Sequence, residues 1–191
     1  MKKILWFFLL VLLSGCVPFS VEGRLEEAEL RGRLLLPTPY FGDFCVVDGE
    51  SGRGYPLPFA QVMVRTDNGD EHETLSDCSG EYEIRGVTGK NGIIYARRST
   101  VVLAKGFSSL QPGKINEVGV VDGYTTAQVA IFEAALRLYP QSVYYRDIPN
   151  FTPSKVLVVL VEEALARGQN PLEDPLVRME AHRLIDVWFG G

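Results

Sequence analysis

The sequence predicts an α+β fold in which an antiparallel β-sandwich of about seven strands precedes three packed C-terminal α-helices. Two observations predict it. Before Asp122, short runs of β-branched, aliphatic and aromatic residues alternate with polar residues and are separated by turns rich in glycine, as in a sandwich. After Asp122, apolar residues recur at spacings of three and four, as on the buried face of a helix. This change of period divides the chain into residues 30–121 and 122–191.

An N-terminal leader precedes the predicted fold. Lys2 and Lys3 give the start of the chain a positive charge, and residues 4–13 form an unbroken apolar run. The run is shorter than the roughly 20 apolar residues that cross a bilayer, so it indicates a secretory signal. Residues 13–16 (LSGC) resemble the lipobox of bacterial lipoproteins. The resemblance implies a signal peptide over residues 1–15, cleaved before Cys16, and lipid on that cysteine.

The lipobox resemblance also implies a location. Acyl chains such as palmitate on Cys16 would hold the mature chain at a membrane, because two or more chains anchor stably where one does not. Val17 follows, where an aspartate would favour retention in the inner membrane. We therefore expect export and a lipid anchor at the cell envelope, at the outer membrane if the organism has one, with residues 16–29 as a polar tether. The alternative is an ordinary signal peptide followed by a chance cysteine.

The strands follow from alternation and turn signals. The first is predicted at residues 30–36, where Pro37 ends it, and residues 44–47 are a candidate second strand before a loop over 48–58. Asn68 and Gly69 mark a turn, because this pair suits positive backbone angles. The other strands are predicted at residues 60–65, 72–75, 82–87, 93–97, 101–105 and 115–121.

Two motifs within this region resemble the carboxypeptidase regulatory-like domain over about residues 30–121. They are residues 56–64 (PLPFAQVMV) and residues 74–84 (TLSDCSGEYEI), followed by a Gly-Val pair. The resemblance implies a prealbumin-like sandwich. The sequence departs from the family pattern by an insertion over residues 37–55 and by Ser76. Within the second motif, Tyr82 and Ile84 should point to one face of their strand.

The first predicted helix covers residues 127–138 and begins after a cap at Thr125 or Thr126. It is apolar nearly all round, so it should be buried against a neighbour. A connector follows, and its three large aromatic residues are expected to pack between layers. These residues are Tyr144, Tyr145 and Phe151.

Two further helices complete the C-terminal region. Thr152 is the predicted cap of the second, with Pro153 in the first helical position and Gly168 at its end. Asp174 and Pro175 open the third. Each helix has one apolar stripe: Leu157, Leu160, Val161, Ala164 and Leu165 in the second, and Val177, Ala181, Leu184, Ile185 and Trp188 in the third.

Charge limits the partners. Without the leader the chain keeps 17 of its 19 basic residues against 24 acidic ones, a formal charge of −7. An acidic chain lacks the basic surface that phosphate backbones need, so nucleic acid is not expected as a partner. The same sign disfavours attraction to anionic lipid, which leaves the acyl chains to hold the membrane.

Two cysteines, Cys45 and Cys78, remain after lipidation. Export would bring them to an oxidising compartment, where two cysteines of one small domain commonly pair. The alternative is two buried free thiols.

The residues suggest no catalytic set, cofactor or metal site, so we expect no enzymatic activity. His182 lies four residues before Asp186, a spacing that predicts a solvated pair on a helix. His72 stands among acids and should lie at the surface. Calcium needs six or more oxygens in a defined loop, and neither acidic cluster has such spacing. The clusters are Asp67, Asp70, Glu71 and Glu73, and Asp43, Asp48 and Glu50.

Five aromatic residues crowd the insertion and its flanks, namely Tyr40, Phe41, Phe44, Tyr55 and Phe59. Exposed aromatic loops often form recognition sites, so these residues are a candidate ligand platform. The alternative is a satellite cluster that covers one end of the sandwich.

These features together predict a membrane-anchored envelope lipoprotein with a non-enzymatic binding, adhesion or scaffolding role. Its partner would be an envelope protein or polysaccharide. The alternative is a carbohydrate-binding module of an envelope polysaccharide system.

Overall fold

The structure is a computed structural model that describes residues 27–40, 45 and 54–189. The predicted signal peptide, Cys16 and most of the tether therefore lie outside the described residues. So do Phe41, Phe44 and the candidate strand at residues 44–47, apart from Cys45. No helix among the described residues is long and apolar enough to span a membrane.

The described strands form two sheets, and the predicted α+β class is confirmed. The strands are β1 (Ala28–Leu36), β2 (Tyr55–Pro56), β3 (Gln61–Thr66), β4 (Glu71–Leu75), β5 (Glu81–Val87), β6 (Gly92–Arg98), β7 (Val101–Phe107) and β8 (Ile115–Val121). Two predictions need correction. β1 begins at Ala28, inside the predicted tether, and β2 lies in the predicted loop over residues 48–58.

The first sheet is built around β1. This strand pairs antiparallel with β5 and, at its C-terminal end, with β2. It pairs parallel with β8, the one parallel pairing among the described strands of the predicted antiparallel sandwich. Leu30, Leu34 and Ile84 point inward and are buried, whereas charged residues of β1 and β5 point outward.

The second sheet has the order β4-β3-β6-β7 and is antiparallel throughout. Its inward side chains meet those of the first sheet. Val62 and Val64 on β3, Ile94 on β6 and Leu103 on β7 are fully buried. The alternation predicted for residues 60–65 is therefore confirmed, with the apolar positions inside.

The first helix, α1 (Gly123–Leu138), begins four residues earlier than predicted. Its N-cap is Asp122, which stays extended at φ −144°. The carboxylate of Asp122 accepts from the backbone N–H of Thr125 at 2.9 Å, and the Thr125 hydroxyl accepts from the backbone N–H of Asp122 at 3.0 Å. The two residues form a capping box. Neither Thr125 nor Thr126 is therefore the cap.

A 3₁₀ helix (Tyr145–Asn150) leads to α2 (Lys155–Ala166) and α3 (Pro175–Phe189). α2 is capped by Ser154, whose hydroxyl accepts from a backbone N–H at 3.1 Å. The predicted cap at Thr152 is thus wrong by two residues. Gly168 ends α2 at φ +70°, as predicted. Asp174 caps α3 by accepting from the backbone N–H of Leu176 at 2.8 Å, also as predicted.

The helices cover the outer face of the second sheet. The backbone N–H of Ala104 on β7 donates to the hydroxyl of Thr126 on α1 at 2.9 Å. Gly106 on β7 allows Ile148 of the 3₁₀ helix to approach, since an added Cβ would overlap that side chain. One continuous apolar core thus runs through both sheets and the helical layer.

The connector packs partly as predicted. Phe151 is buried and its ring centroid lies 5.4 Å from that of Trp188. Tyr145 packs on Phe132 with ring centroids 5.6 Å apart. Tyr144 is 53% exposed, so the prediction that it packs between layers is wrong; its ring instead lies under the guanidinium of Arg146.

Candidate functional site

The outer face of the first sheet holds a broad depression. It has a volume of about 730 Å³ and runs across β5, β1 and β8. The exposed side chain of Leu75, on β4, forms one margin. Its lining residues on β1, β5 and β8 include Arg31, Gly32, Arg33, Tyr82, Glu117 and Gly119.

Ion pairs neutralise part of this face. Arg31 lies 2.7 Å from a carboxylate oxygen of Glu29 and 3.0 Å from one of Glu83. Arg85 lies 2.5 Å from the other oxygen of Glu83. These groups are partly exposed to solvent, so each pair contributes little to stability. Glu117, by contrast, has no ion-pair partner among the described residues.

A buried tyrosine lies under the depression. Tyr82 is 4% exposed, and its hydroxyl has no hydrogen-bond partner among the described residues. Burial, and to a lesser degree the charge of Glu117, raises the pKa of this phenol, so it stays protonated. Gly32 lies opposite Tyr82 in the β1–β5 pairing, and any Cβ at that position would overlap the hydroxyl oxygen.

This face was missed at the level of sequence, because charged residues that alternate along a strand predict only a solvated surface. One signal was present. Gly32 interrupts the strand pattern of β1, and an interior strand glycine often marks close approach of another group. Here that group is Tyr82.

The predicted aromatic platform is only partly described, and two of its members, Tyr40 and Phe59, lie beside Arg98. The Arg98 guanidinium lies 4.5 Å from the ring centroid of Tyr40 and 5.7 Å from that of Phe59, and it donates to the carbonyl of Pro58. Tyr55 and Tyr40 line a small cavity of about 70 Å³ beside this cluster. One face of Tyr40 is therefore covered by Arg98, while Phe59 is half exposed.

Cys45 and Cys78 lie at the same cavity. In the structure their sulfur atoms are bonded, with Cα atoms 5.6 Å apart. This geometry links the insertion to the turn between β4 and β5. The oxidation state in the cell stays a prediction, which a mass measurement can test.

His72 lies in β4, within the strand predicted over residues 72–75. Its Nε2 lies 2.8 Å from Oδ2 of Asp70. The same oxygen accepts from the backbone N–H and the hydroxyl of Thr88, at 2.8 and 2.9 Å. Burial opposes ionisation of Asp70, but the hydrogen bonds outweigh it and lower the pKa of Asp70.

The other acids of that cluster turn to separate partners. Asp67 accepts from the side chain of Asn91 at 2.8 Å, Glu71 pairs with Arg65 at 2.7 Å and Glu73 accepts from Gln61 at 3.0 Å. Within the described ranges, no three His, Cys, Asp or Glu side chains are placed to hold one metal ion. The second acidic cluster lies outside the described residues.

His182 is half-buried between α1 and α3, in a small cavity that Glu133 and Arg178 also line. It makes no hydrogen bond to Asp186, although both residues are described, so the predicted solvated pair is wrong. Next to it, the hydroxyl of Tyr95 donates to Glu133 at 3.3 Å. Burial raises the pKa of Glu133 against the opposing charge of Arg137.

No family model and no curated protein matches the sequence. Among solved structures, the minor pilin GBS52 of Streptococcus agalactiae is similar at 15% identity and a TM-score of 0.34, over 51% of this chain and 45% of the pilin chain. Two interface mutants of a type II cohesin–X-dockerin complex from Acetivibrio cellulolyticus are similar at 13% and 12% identity and a TM-score of 0.30, over 49% of this chain and 52% of theirs. The likeness therefore spans about half of this chain and about half of each matched chain. The β-sandwich is established by the strand pairing itself, and membership of the carboxypeptidase regulatory-like family stays a prediction.

Proposed function

We propose that this chain is an exported protein, lipid-anchored to the cell envelope through Cys16, with a non-enzymatic binding or scaffolding role. The leader and the lipobox motif support the anchor. The observation that carries the binding role is the open, charged face of the first sheet, with its depression of about 730 Å³. Small ligands bind in concave parts of protein surfaces, where polar groups from several elements converge.

The anchor is tested by metabolic labelling with a fatty acid in a strain that expresses the full-length chain. Wild-type protein should carry label and fractionate with membranes. Cys16→Ala should carry none and should stay unprocessed or leave the membrane. Cys45→Ala/Cys78→Ala is the matched control, since it removes the other two cysteines and should keep the label. Label on the Cys16→Ala protein would contradict the anchor.

The non-enzymatic role is tested through the two histidines, the residues most often used in acid–base catalysis near neutral pH. A deletion strain is complemented with His72→Ala or His182→Ala and assayed for envelope integrity. Both variants should complement as well as wild type. A folded, anchored variant that fails to complement would show that the histidine is functional.

A further inference from the structure

The exposed side of α3 carries a stripe of apolar side chains. Leu176, Met179 and Val187 are each at least half exposed to solvent. Together with Arg183 they occupy positions i, i+3, i+7 and i+11, which lie along one side of an α-helix. A single exposed apolar residue needs no explanation, whereas apolar residues that share one face indicate an interaction surface.

α2 contributes two more exposed apolar residues. Val156 and Val159 are at least half exposed and lie one turn apart. The two helices meet near the start of α2, where the hydroxyl of its N-cap Ser154 donates to Oε1 of Glu180 on α3 at 2.8 Å. We refer to the exposed apolar residues of the two helices as the apolar helix face: Val156, Val159, Leu176, Met179 and Val187.

The charges beside this face are paired within the protein. Arg183 donates from Nε to one carboxylate oxygen of Glu180 and from a terminal nitrogen to the other, both at 2.7 Å. On α2, Glu163 lies one turn beyond Val159 and pairs with Arg167 at 3.8 Å. An apolar surface can therefore approach the stripe of α3 without desolvating an unpaired charge, which would be unfavourable.

We propose that the apolar helix face lies on the surface of the bilayer to which the chain is anchored, an inference that depends on the proposed lipid at Cys16. Eleven residues separate Cys16 from Ala28, the first residue of β1. A chain of this length spans at most about 40 Å, which is comparable to the width of a domain whose radius of gyration is about 15 Å. The tether therefore brings the helices within reach of the lipid at a high effective concentration.

The chemistry of the face fits a bilayer interface. Helices that lie in the interface bury an apolar stripe at the level of the lipid headgroups and keep their polar side in water. Trp188 follows Val187 at the end of α3 and is partly exposed, and tryptophan is enriched at the boundary between lipid and water. Because the mature chain is acidic, anionic lipid would oppose the contact, and the face should favour zwitterionic lipid.

Trp188 also supplies a probe of this contact. Cleavage before Cys16 removes Trp6 and leaves Trp188 as the single tryptophan of the mature chain. Its fluorescence is measured in lipidated protein reconstituted into phosphatidylcholine vesicles, with and without bromine atoms on the acyl chains. Brominated lipid should quench the wild-type fluorescence, because bromine quenches only at short range. Leu176→Gln/Met179→Gln should reduce the quenching at least about twofold, since it removes apolar area from the contact.

Leu75→Gln is the matched control for the single variant Met179→Gln. The two side chains are 65% and 64% exposed, but Leu75 lies on the edge strand β4 and not on a helix. Met179→Gln should weaken the quenching, and Leu75→Gln should leave it unchanged. Urea unfolding should be nearly unchanged in both variants, as expected for surface substitutions, so a lost contact is not mistaken for a lost fold.

Absence of quenching in wild-type protein that carries the fatty-acid label would overturn the bilayer contact and leave the anchor intact. Equal losses in Met179→Gln and Leu75→Gln would do the same. Cross-linked dimers that disappear in Leu176→Gln/Met179→Gln, in vesicles without quenching, would show that a second copy of the chain covers the face instead. Wild-type protein without the label would overturn the anchor, and with it the tether on which the contact depends.

Discussion

The outer faces of the two sheets have opposite chemistry, although their inner faces are alike. On the second sheet, outward residues such as Ile93 and Ala104 are buried beneath the helices. On the first sheet, the outward position of Arg85 is 74% exposed, and charged partners surround it. An apolar outer face needs a covering layer, because exposed apolar area is costly in water. The second sheet therefore needs the helical layer, whereas the charged face of the first sheet can stay open to solvent.

The largest expected effect on stability concerns the disulfide between Cys45 and Cys78. Cys45→Ala/Cys78→Ala should lower the free energy of unfolding by about 3–4 kcal/mol, because a bond across 33 residues restricts the unfolded chain. Urea unfolding of oxidised wild-type and variant protein measures the difference. Thiol labelling of both cysteines in native wild-type protein would contradict the pairing.

Gly106→Ala should destabilise the packing of the helical layer on the second sheet. The added Cβ would overlap Ile148 in the 3₁₀ helix, and overpacking of a filled core costs about 1–3 kcal/mol. Urea unfolding should show a loss toward the upper end of that range. Ile148→Ala makes room for the added Cβ. The double variant should therefore lose less free energy of unfolding than the sum of the losses in the two single variants. Strict additivity would indicate that the helix does not rest on β7.

Glu133→Gln should change how the covered side responds to pH. The raised pKa of Glu133 means that the unfolded state releases its proton first, so wild-type stability falls as pH rises above the ordinary value of 4.5. The glutamine side chain has no proton to release, and its amide oxygen can still accept the hydrogen bond from the hydroxyl of Tyr95. The variant thus does not lose stability in this way. Its Tm relative to wild type should therefore rise from pH 4 to pH 7. Glu162→Gln, on the exposed side of α2, controls for the lost charge, and parallel Tm curves for Glu133→Gln would contradict the prediction.

Arg85→Ala on the open side should have the smallest effect. Its ion pairs with Glu83 and Glu29 are exposed, and such pairs contribute about 0–1 kcal/mol. We expect a change within about 0.5 kcal/mol by urea unfolding. A loss above 2 kcal/mol would show that the charged face supports the fold, and the contrast between the two faces would weaken.

Much of the fold was predictable from the sequence, because local pattern and tertiary packing agree there. The alternation of β3 and β5 and the start of α3 at Asp174 are examples. The cap of α1 was misplaced because Asp122, Thr125 and Thr126 are all good cap residues. Only the structure shows that Thr125 completes a capping box with Asp122 and that Thr126 contacts Ala104 on β7. β2 was missed because two residues are too few to show a period.

The candidate site was less predictable than the fold. The aromatic residues near the insertion predicted a ligand platform, yet Arg98 covers one face of Tyr40. The unpaired hydroxyl of Tyr82 depends on its pairing with Gly32 across strands that are distant in sequence. Alternation predicts that Tyr82 points inward, but it cannot show whether the hydroxyl has a hydrogen-bond partner there.

The parallel pairing of β1 with β8 has a mechanical consequence. If the chain is tethered ahead of β1 and pulled through the region after β8, the two strands are drawn past each other along their length. Their hydrogen bonds are then loaded in shear and share the force, whereas an antiparallel pair pulled at one end would open bond by bond. Because Asp122 joins β8 directly to α1, that load passes into the helical layer. A sandwich tethered in this way would resist tension along the line between the start of β1 and the C-terminal helices.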